Sequence, residues 1–136
     1  MEDKERIEVI FVQPMKPPEI RQISDELSAM QELVGGYIEE YMPFEDDVAI
    51  VCNEEGKING MQLNRGIYGE DGQLMDIIAG PFFIAYAPIE SEKFLSMPDE
   101  LKAKYEEKFR EPEQFFRTRD GIKAIKIGAE DKEYER

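Results

Sequence analysis

The spacing of apolar residues changes several times along the chain, and each change marks an element. The stretch Arg6-Ile7-Glu8-Val9-Ile10-Phe11-Val12 begins with polar alternation and ends in a continuous apolar run before Pro14, which predicts a central strand. Pro17-Pro18 can open a helix, because proline at the first helical position wastes no hydrogen bond. Ile20, Ile23, Leu27, Met30 and Val34 then recur at helical spacing up to Gly35-Gly36, so a helix is expected over this whole stretch. Tyr37 to Tyr41 reads as a short strand returning beside the first, closed by Pro43.

Val48-Ala49-Ile50-Val51-Cys52 is a buried-strand pattern that enters the reverse-turn composition Asn53-Glu54-Glu55-Gly56-Lys57. A hairpin return over Lys57 to Leu63 is expected. Leu74 to Ala87 is the most apolar part of the chain. Gly80-Pro81 divides it into two strands or kinks one, because proline cannot donate to a central ladder. Ser96-Met97-Pro98-Asp99 has the form of a capping box, and Leu101, Tyr105 and Phe109 lie four apart, which predicts a helix from Pro98 to Arg110. Phe115-Phe116 should pack its end onto the body, and Ile122 to Ile127 fits an edge strand. Residues 129–136 are nearly all charged and are expected to form a mobile tail. The order of elements predicts one small α+β domain over residues 1–128, a mainly antiparallel sheet with two helices packed on it.

Composition then removes function classes. The 136 residues contain no His and a single Cys, Cys52, so His-dependent triads, His-containing zinc sites, an internal disulfide and a Cys-rich metal cluster are all excluded within one chain. No cofactor and no metal are expected, since the acidic runs lack the spacing of a calcium-binding loop. No apolar run reaches membrane length, and lone-cysteine usage fits a reducing, cytoplasmic setting. With 17 Lys+Arg against 31 Asp+Glu the net charge is −14, which disfavours direct contact with nucleic acid or an anionic membrane surface. The same charge would steer the protein toward a basic surface on another protein.

Two groups of residues are candidates for chemistry, and three functional readings are open. Glu39-Glu40, Glu45-Asp46-Asp47 and Glu54-Glu55 form a candidate interaction surface for a basic protein partner. Alternate residues of a strand lie about 6.6 Å apart, on the scale of neighbouring phosphates, so such a surface can imitate a nucleic-acid backbone. Lys57, Asn64 and Arg65 could instead clamp a small anionic, nucleotide-like ligand, with Tyr37 or Tyr41 stacking on its base. On that reading Arg65→Ala removes binding and leaves the fold intact. A hydrolase is the weakest of the three, because only carboxylates and water would do the work, and no catalytic residue is assigned. Asn53 to Lys57 can equally be an exposed hairpin turn, and Cys52, after a β-branched run, reads as a small core residue.

Leu33-Val34-Gly35-Gly36-Tyr37-Ile38-Glu39, Val51-Cys52-Asn53-Glu54-Glu55-Gly56-Lys57 with Leu63-Asn64-Arg65, and Asp76 to Ile84 together resemble the domain of unknown function 3846 family. The resemblance covers about residues 6 to 115. That family is met in Gram-positive bacteria, their phages and their mobile elements, which implies an accessory role in gene exchange or phage–host conflict. It also implies that Gly35-Gly36, Asn53 to Lys57 and Asn64-Arg65 form the defining surface.

Overall fold

A strand whose two sides are both covered can be apolar at every position, and three segments of this chain meet that condition. The computed structural model describes residues 6–128. Its central sheet has the order β2-β1-β7-β4-β3, antiparallel throughout, built from β1 (Arg6–Val12), β2 (Glu19–Ser24), β3 (Ile38–Tyr41), β4 (Val48–Asn53) and β7 (Phe82–Tyr86). Because successive side chains point to opposite sides, the sheet carries two cores. One contains Ile10, Val12, Val48, Ile50, Phe82 and Ile84, covered by α2 (Asp99–Lys108) and by the hairpin of β5 (Leu63–Tyr68) and β6 (Leu74–Ala79). The other contains Val9, Phe11, Val51, Phe83 and Ala85, covered by α1 (Leu27–Val34) through Met30 and Val34. A second ribbon, β8 (Glu113–Thr118) with β9 (Gly121–Lys126), completes the small α+β domain.

Several sequence expectations are corrected. Residues from Pro17 to Val34 do not form one helix: Glu19–Ser24 is a strand, with Ile20 opposite Ile10 and Ile23 opposite Ile7, and the helix occupies only Leu27–Val34. The β-branched Ile20 and Ile23 gain a ladder on the open edge of β1, and pairing outweighs a three-residue spacing that suits a helix. Tyr37 to Tyr41 does yield a strand, but it pairs with β4 rather than with β1, whose neighbours are β2 and β7. Lys57 to Leu63 does not return beside β4, whose two edges already hold β3 and β7, so the chain turns away and β5 pairs with β6 instead. Ser96 does not cap α2: its hydroxyl accepts the backbone N–H of Glu8, while the helix begins at Asp99, after Pro98 at the N-cap position, with Asp99 and Glu100 in its first turn. The expected last strand is present as β9, but it pairs with β8 outside the central sheet, and Phe116 is 46% exposed rather than packed on the body. Residues 129–136, expected as a mobile tail, lie outside the described residues.

The largest correction concerns Asn64 and Arg65. Read as exposed clamp residues, both are fully buried. Arg65 donates from Nε and Nη2 to the carbonyl of Phe109 at 3.1 and 2.9 Å, from Nη2 to that of Lys16 at 2.7 Å, and from Nη1 to Asn64 Oδ1 at 2.9 Å. Asn64 Nδ2 in turn donates to the carbonyls of Val12 and Gly80 at 3.0 and 2.9 Å. Phe109 ends α2, so the guanidinium also sits at the negative end of that helix dipole. Burial lowers the Arg65 pKa to about 10, opposed by the Glu113 carboxylate, and the side chain stays charged at neutral pH. Among the described residues no buried side-chain polar atom lacks a hydrogen-bond partner.

Two predictions follow from these interior contacts. Arg65→Ala leaves the carbonyls of Phe109 and Lys16 and the Asn64 amide without their donor, so chemical denaturation should show a loss of about 3–5 kcal/mol; a variant as stable as the parent would refute the anchoring role. Asp46 accepts hydrogen bonds from Lys104 Nζ and the buried Tyr105 hydroxyl, and these hold its pKa below the ordinary 3.8. A carboxyl with a depressed folded-state pKa stabilises the fold above its unfolded value and loses that contribution as pH falls through the folded one. Asp46→Asn should therefore flatten the acid limb of the stability–pH curve below about pH 4; an unchanged limb would show that the pair contributes nothing.

Candidate functional site

Where β4 runs out of the sheet the chain makes a tight excursion, and the space beside it is a cleft lined by several of the candidate residues. Asn53 starts the turn: its Oδ1 accepts the Glu55 N–H at 2.7 Å, and its Nδ2 donates to the Val34 carbonyl at 3.1 Å, joining the turn to the end of α1. Gly36 lies against that amide, and a Cβ there would stand 2.8 Å from Asn53 Nδ2. A Cβ at Gly56 would stand 2.8 Å from the Ala79 carbonyl oxygen, so only glycine lets the turn lie on β6. These contacts explain Gly36, Gly56 and Asn53 of the family-like motifs as requirements of the fold.

The cleft encloses about 310 Å³ between β3, the turn and β6. Glu39 and Tyr41 line it from alternate positions of β3, Glu54 and Glu55 from the turn, and Asp76 from β6, with Cys52 and Ile77 to Ala79 also in its wall. Lys57 is the one cation of the lining, and its Nζ lies 2.8 Å from Asp76 Oδ1. Among the described residues, none of Glu39, Glu54 and Glu55 lies within ion-pair distance of a cation. Ile58, 83% exposed, stands at the rim. A shallower groove of about 340 Å³ shares Lys57, Asp76 and Ile77 with the cleft and continues over Leu63, Leu74, Met75 and Ile122.

The predicted site residues separate. Lys57 and Tyr41 reach the cleft, Tyr37 is 74% exposed and outside its lining, and Asn64 and Arg65 are interior. Of the acidic set, Glu39, Glu54 and Glu55 converge on the cleft. Glu40 faces a different groove beside Leu27, Met42 and Ile89. Asp46 is committed to α2, and Glu45 and Asp47 are exposed in the β3–β4 connection. Sequence reasoning missed Asp76, although a lone acid inside the apolar run Leu74-Met75-Asp76-Ile77-Ile78 was a readable signal that one side of that strand meets solvent. It also missed Glu113, which is buried and accepts the Gly66 N–H and the Tyr68 hydroxyl, fastening β8 to β5.

The cleft is electrostatically suited to cations rather than anions. Burial, with the neighbouring Glu39 and Asp76 carboxylates, pushes the Cys52 thiol up to about 11, and its Sγ–H donates to the Glu39 carbonyl. Burial and then Asp76 likewise raise the Tyr41 phenol. Neither group is ionised at neutral pH, so the cleft holds no activated nucleophile. Among the described residues no cluster of His, Cys, Asp and Glu has an arrangement fit to hold a metal ion, and no helix is long and apolar enough to cross a membrane.

The family model described as Domain of unknown function (DUF3846) matches residues 7–110, from β1 through the end of α2. No curated protein and no solved structure matches the chain.

A thiol with this pKa should alkylate slowly. At mildly alkaline pH, iodoacetamide should label Cys52 roughly a hundredfold more slowly in the folded protein than in denaturant, because the thiolate is depleted by about that factor. Equal rates, read by mass spectrometry, would mean that the cleft wall opens.

Proposed function

The chain belongs to that family of domains of unknown function, and we propose that it is a small, non-enzymatic, cytoplasmic binding protein, an accessory of phages or mobile elements, that receives a basic segment of a partner protein in the cleft beside Lys57. The observation that carries this reading is the convergence of three uncompensated carboxylates, Glu39, Glu54 and Glu55, with the exposed Ile58 around one small concavity, and the exposed Met75 in the groove that adjoins it. Unpaired like charges at a rim repel one another and are relieved when a cation arrives, while exposed aliphatic side chains supply the area that desolvates. A partner that presents Lys or Arg alternating with aliphatic residues matches both demands.

The anion-binding alternative loses its support with the burial of Asn64 and Arg65, since Lys57 alone among four carboxylates gives an anion no net attraction. The nucleic-acid-like geometry is likewise weakened, because the acidic groups fall on separate surfaces instead of one regular row.

Titration with a short synthetic peptide alternating Arg and Val tests the reading. Amide NMR shifts should concentrate on Glu39, Glu54, Glu55, Ile58 and Asp76. Glu54→Lys combined with Glu55→Lys should weaken binding by about tenfold or more and reduce its salt dependence, and Glu106→Lys with Glu107→Lys on α2 should do much less. Shifts spread evenly over the acidic surface, or equal losses from the two double variants, would overturn it.

A further inference from the structure

The charge of this protein is divided by position in the chain. Residues 7–110 hold nine Lys and Arg against twenty-one Asp and Glu, whereas the ribbon Glu113–Lys126 holds four cations against two acids, one of which is the buried Glu113. Arg117, Arg119, Lys123 and Lys126 are all exposed. Among the described residues none of the four lies within ion-pair distance of a carboxylate. The ribbon register sets Phe116 opposite Lys123 and Gln114 opposite Ile125, so one side of it carries Lys123 with Phe116, 46% exposed, and Ile125, 55% exposed, while Arg117, opposite Ile122, and Lys126 stand on the other. A strand pair that mixes exposed cations with exposed apolar residues is the chemistry that the acidic cleft suits, and it lies outside the stretch matched by the family model.

The two features are also neighbours. Ile122 of β9 lines the same groove as Lys57, Met75 and Asp76, so the basic ribbon and the acidic cleft border one another on a single face. A face with one basic half and one acidic half is self-complementary about a two-fold axis, because each half of one copy meets the opposite half of the other. We propose that this face is the interface of a symmetric homodimer, in which the β8–β9 ribbon of each copy lies in the Lys57–Asp76 cleft of its partner. The inference deepens the reading above: it keeps the cleft as the binding site and names a second copy of this chain as its occupant. A foreign basic segment then has to displace the ribbon, and dimer and complex compete.

Analytical ultracentrifugation of the full chain over a range of concentrations tests this. The parent protein should dimerise, less tightly as salt is raised. Arg117→Glu with Lys123→Glu, and separately Glu54→Lys with Glu55→Lys, should each raise the dimer dissociation constant by about tenfold or more. An equimolar mixture of the two double variants should restore the dimer, since every ribbon–cleft contact in the heterodimer again joins opposite charges. Restoration also shows that both variants are folded. A protein that stays monomeric at all concentrations, or a dimer indifferent to both pairs of substitutions, would overturn the proposal. A monomer that still binds the Arg–Val peptide at the cleft would overturn the dimer alone and leave the binding function standing; a dimer that fails to yield to the peptide would do the reverse.

Discussion

A buried guanidinium is tolerable only if its N–H groups find acceptors, and Arg65 meets that condition by gathering distant parts of the chain. Its acceptors come from the β1–β2 connection at Lys16, the last turn of α2 at Phe109 and the side chain of Asn64. Asn64 extends the network to Val12 at the end of β1 and Gly80 at the end of β6. One ion thus docks the β5–β6 hairpin on the sheet, fixes where α2 ends and closes the loop after β1. Such an arrangement is unforgiving, because the cost of burying the charge is recovered only when all of these segments are in place together. It therefore specifies the position of the hairpin, and with it β6, which forms one wall of the acidic cleft.

What could be read in advance followed locality. β1, β4, β6, β7 and α2 were legible because their apolar runs and periodicity are complete within a few residues. Ile20 and Ile23 were misassigned because a three-residue spacing is ambiguous, and the deciding fact, an open edge on β1, belongs to a different part of the chain. The same holds for residues 57–63, which could not return beside β4 once β3 and β7 had taken both of its edges. Arg65 shows the limit most sharply: an arginine next to an asparagine reads as surface until carbonyls 44 and 49 residues away are brought to it. Half of the acidic cleft was legible in the same sense, since Glu39, Glu54 and Glu55 were named, but their meeting with Asp76 depends on how β6 docks.

The residues that make the chain resemble its family serve the architecture first. Asn53 joins the acidic turn to the end of α1, Gly36 makes room for its amide, Gly56 lets the turn rest on β6, and Asn64 with Arg65 forms the interior network. Each is demanded by close backbone approach or by a buried hydrogen bond, and neither demand involves a ligand. The residues free of both demands are the rim carboxylates, Ile58 and Met75, and these are the ones the proposed binding uses. A fixed scaffold with an adjustable rim lets one fold carry different specificities, because the rim can change without disturbing the network beneath it.

Charge segregation gives that rim its direction. Twenty-one acids in the body raise the electrostatic cost of every further carboxylate placed there, yet among the described residues three lie around one concavity with no cation in ion-pair distance, while the four cations of the neighbouring ribbon have no carboxylate in ion-pair distance. If net charge served only solubility, cations and acids would gain by interspersing, as they do on α2, where Lys102 and Lys104 pair with Glu8 and Asp46. Separation forgoes that gain within the monomer. In the proposed dimer it would be recovered, because the acidic half of one copy meets the basic half of the other and the shared groove at Ile122 sets the two halves side by side.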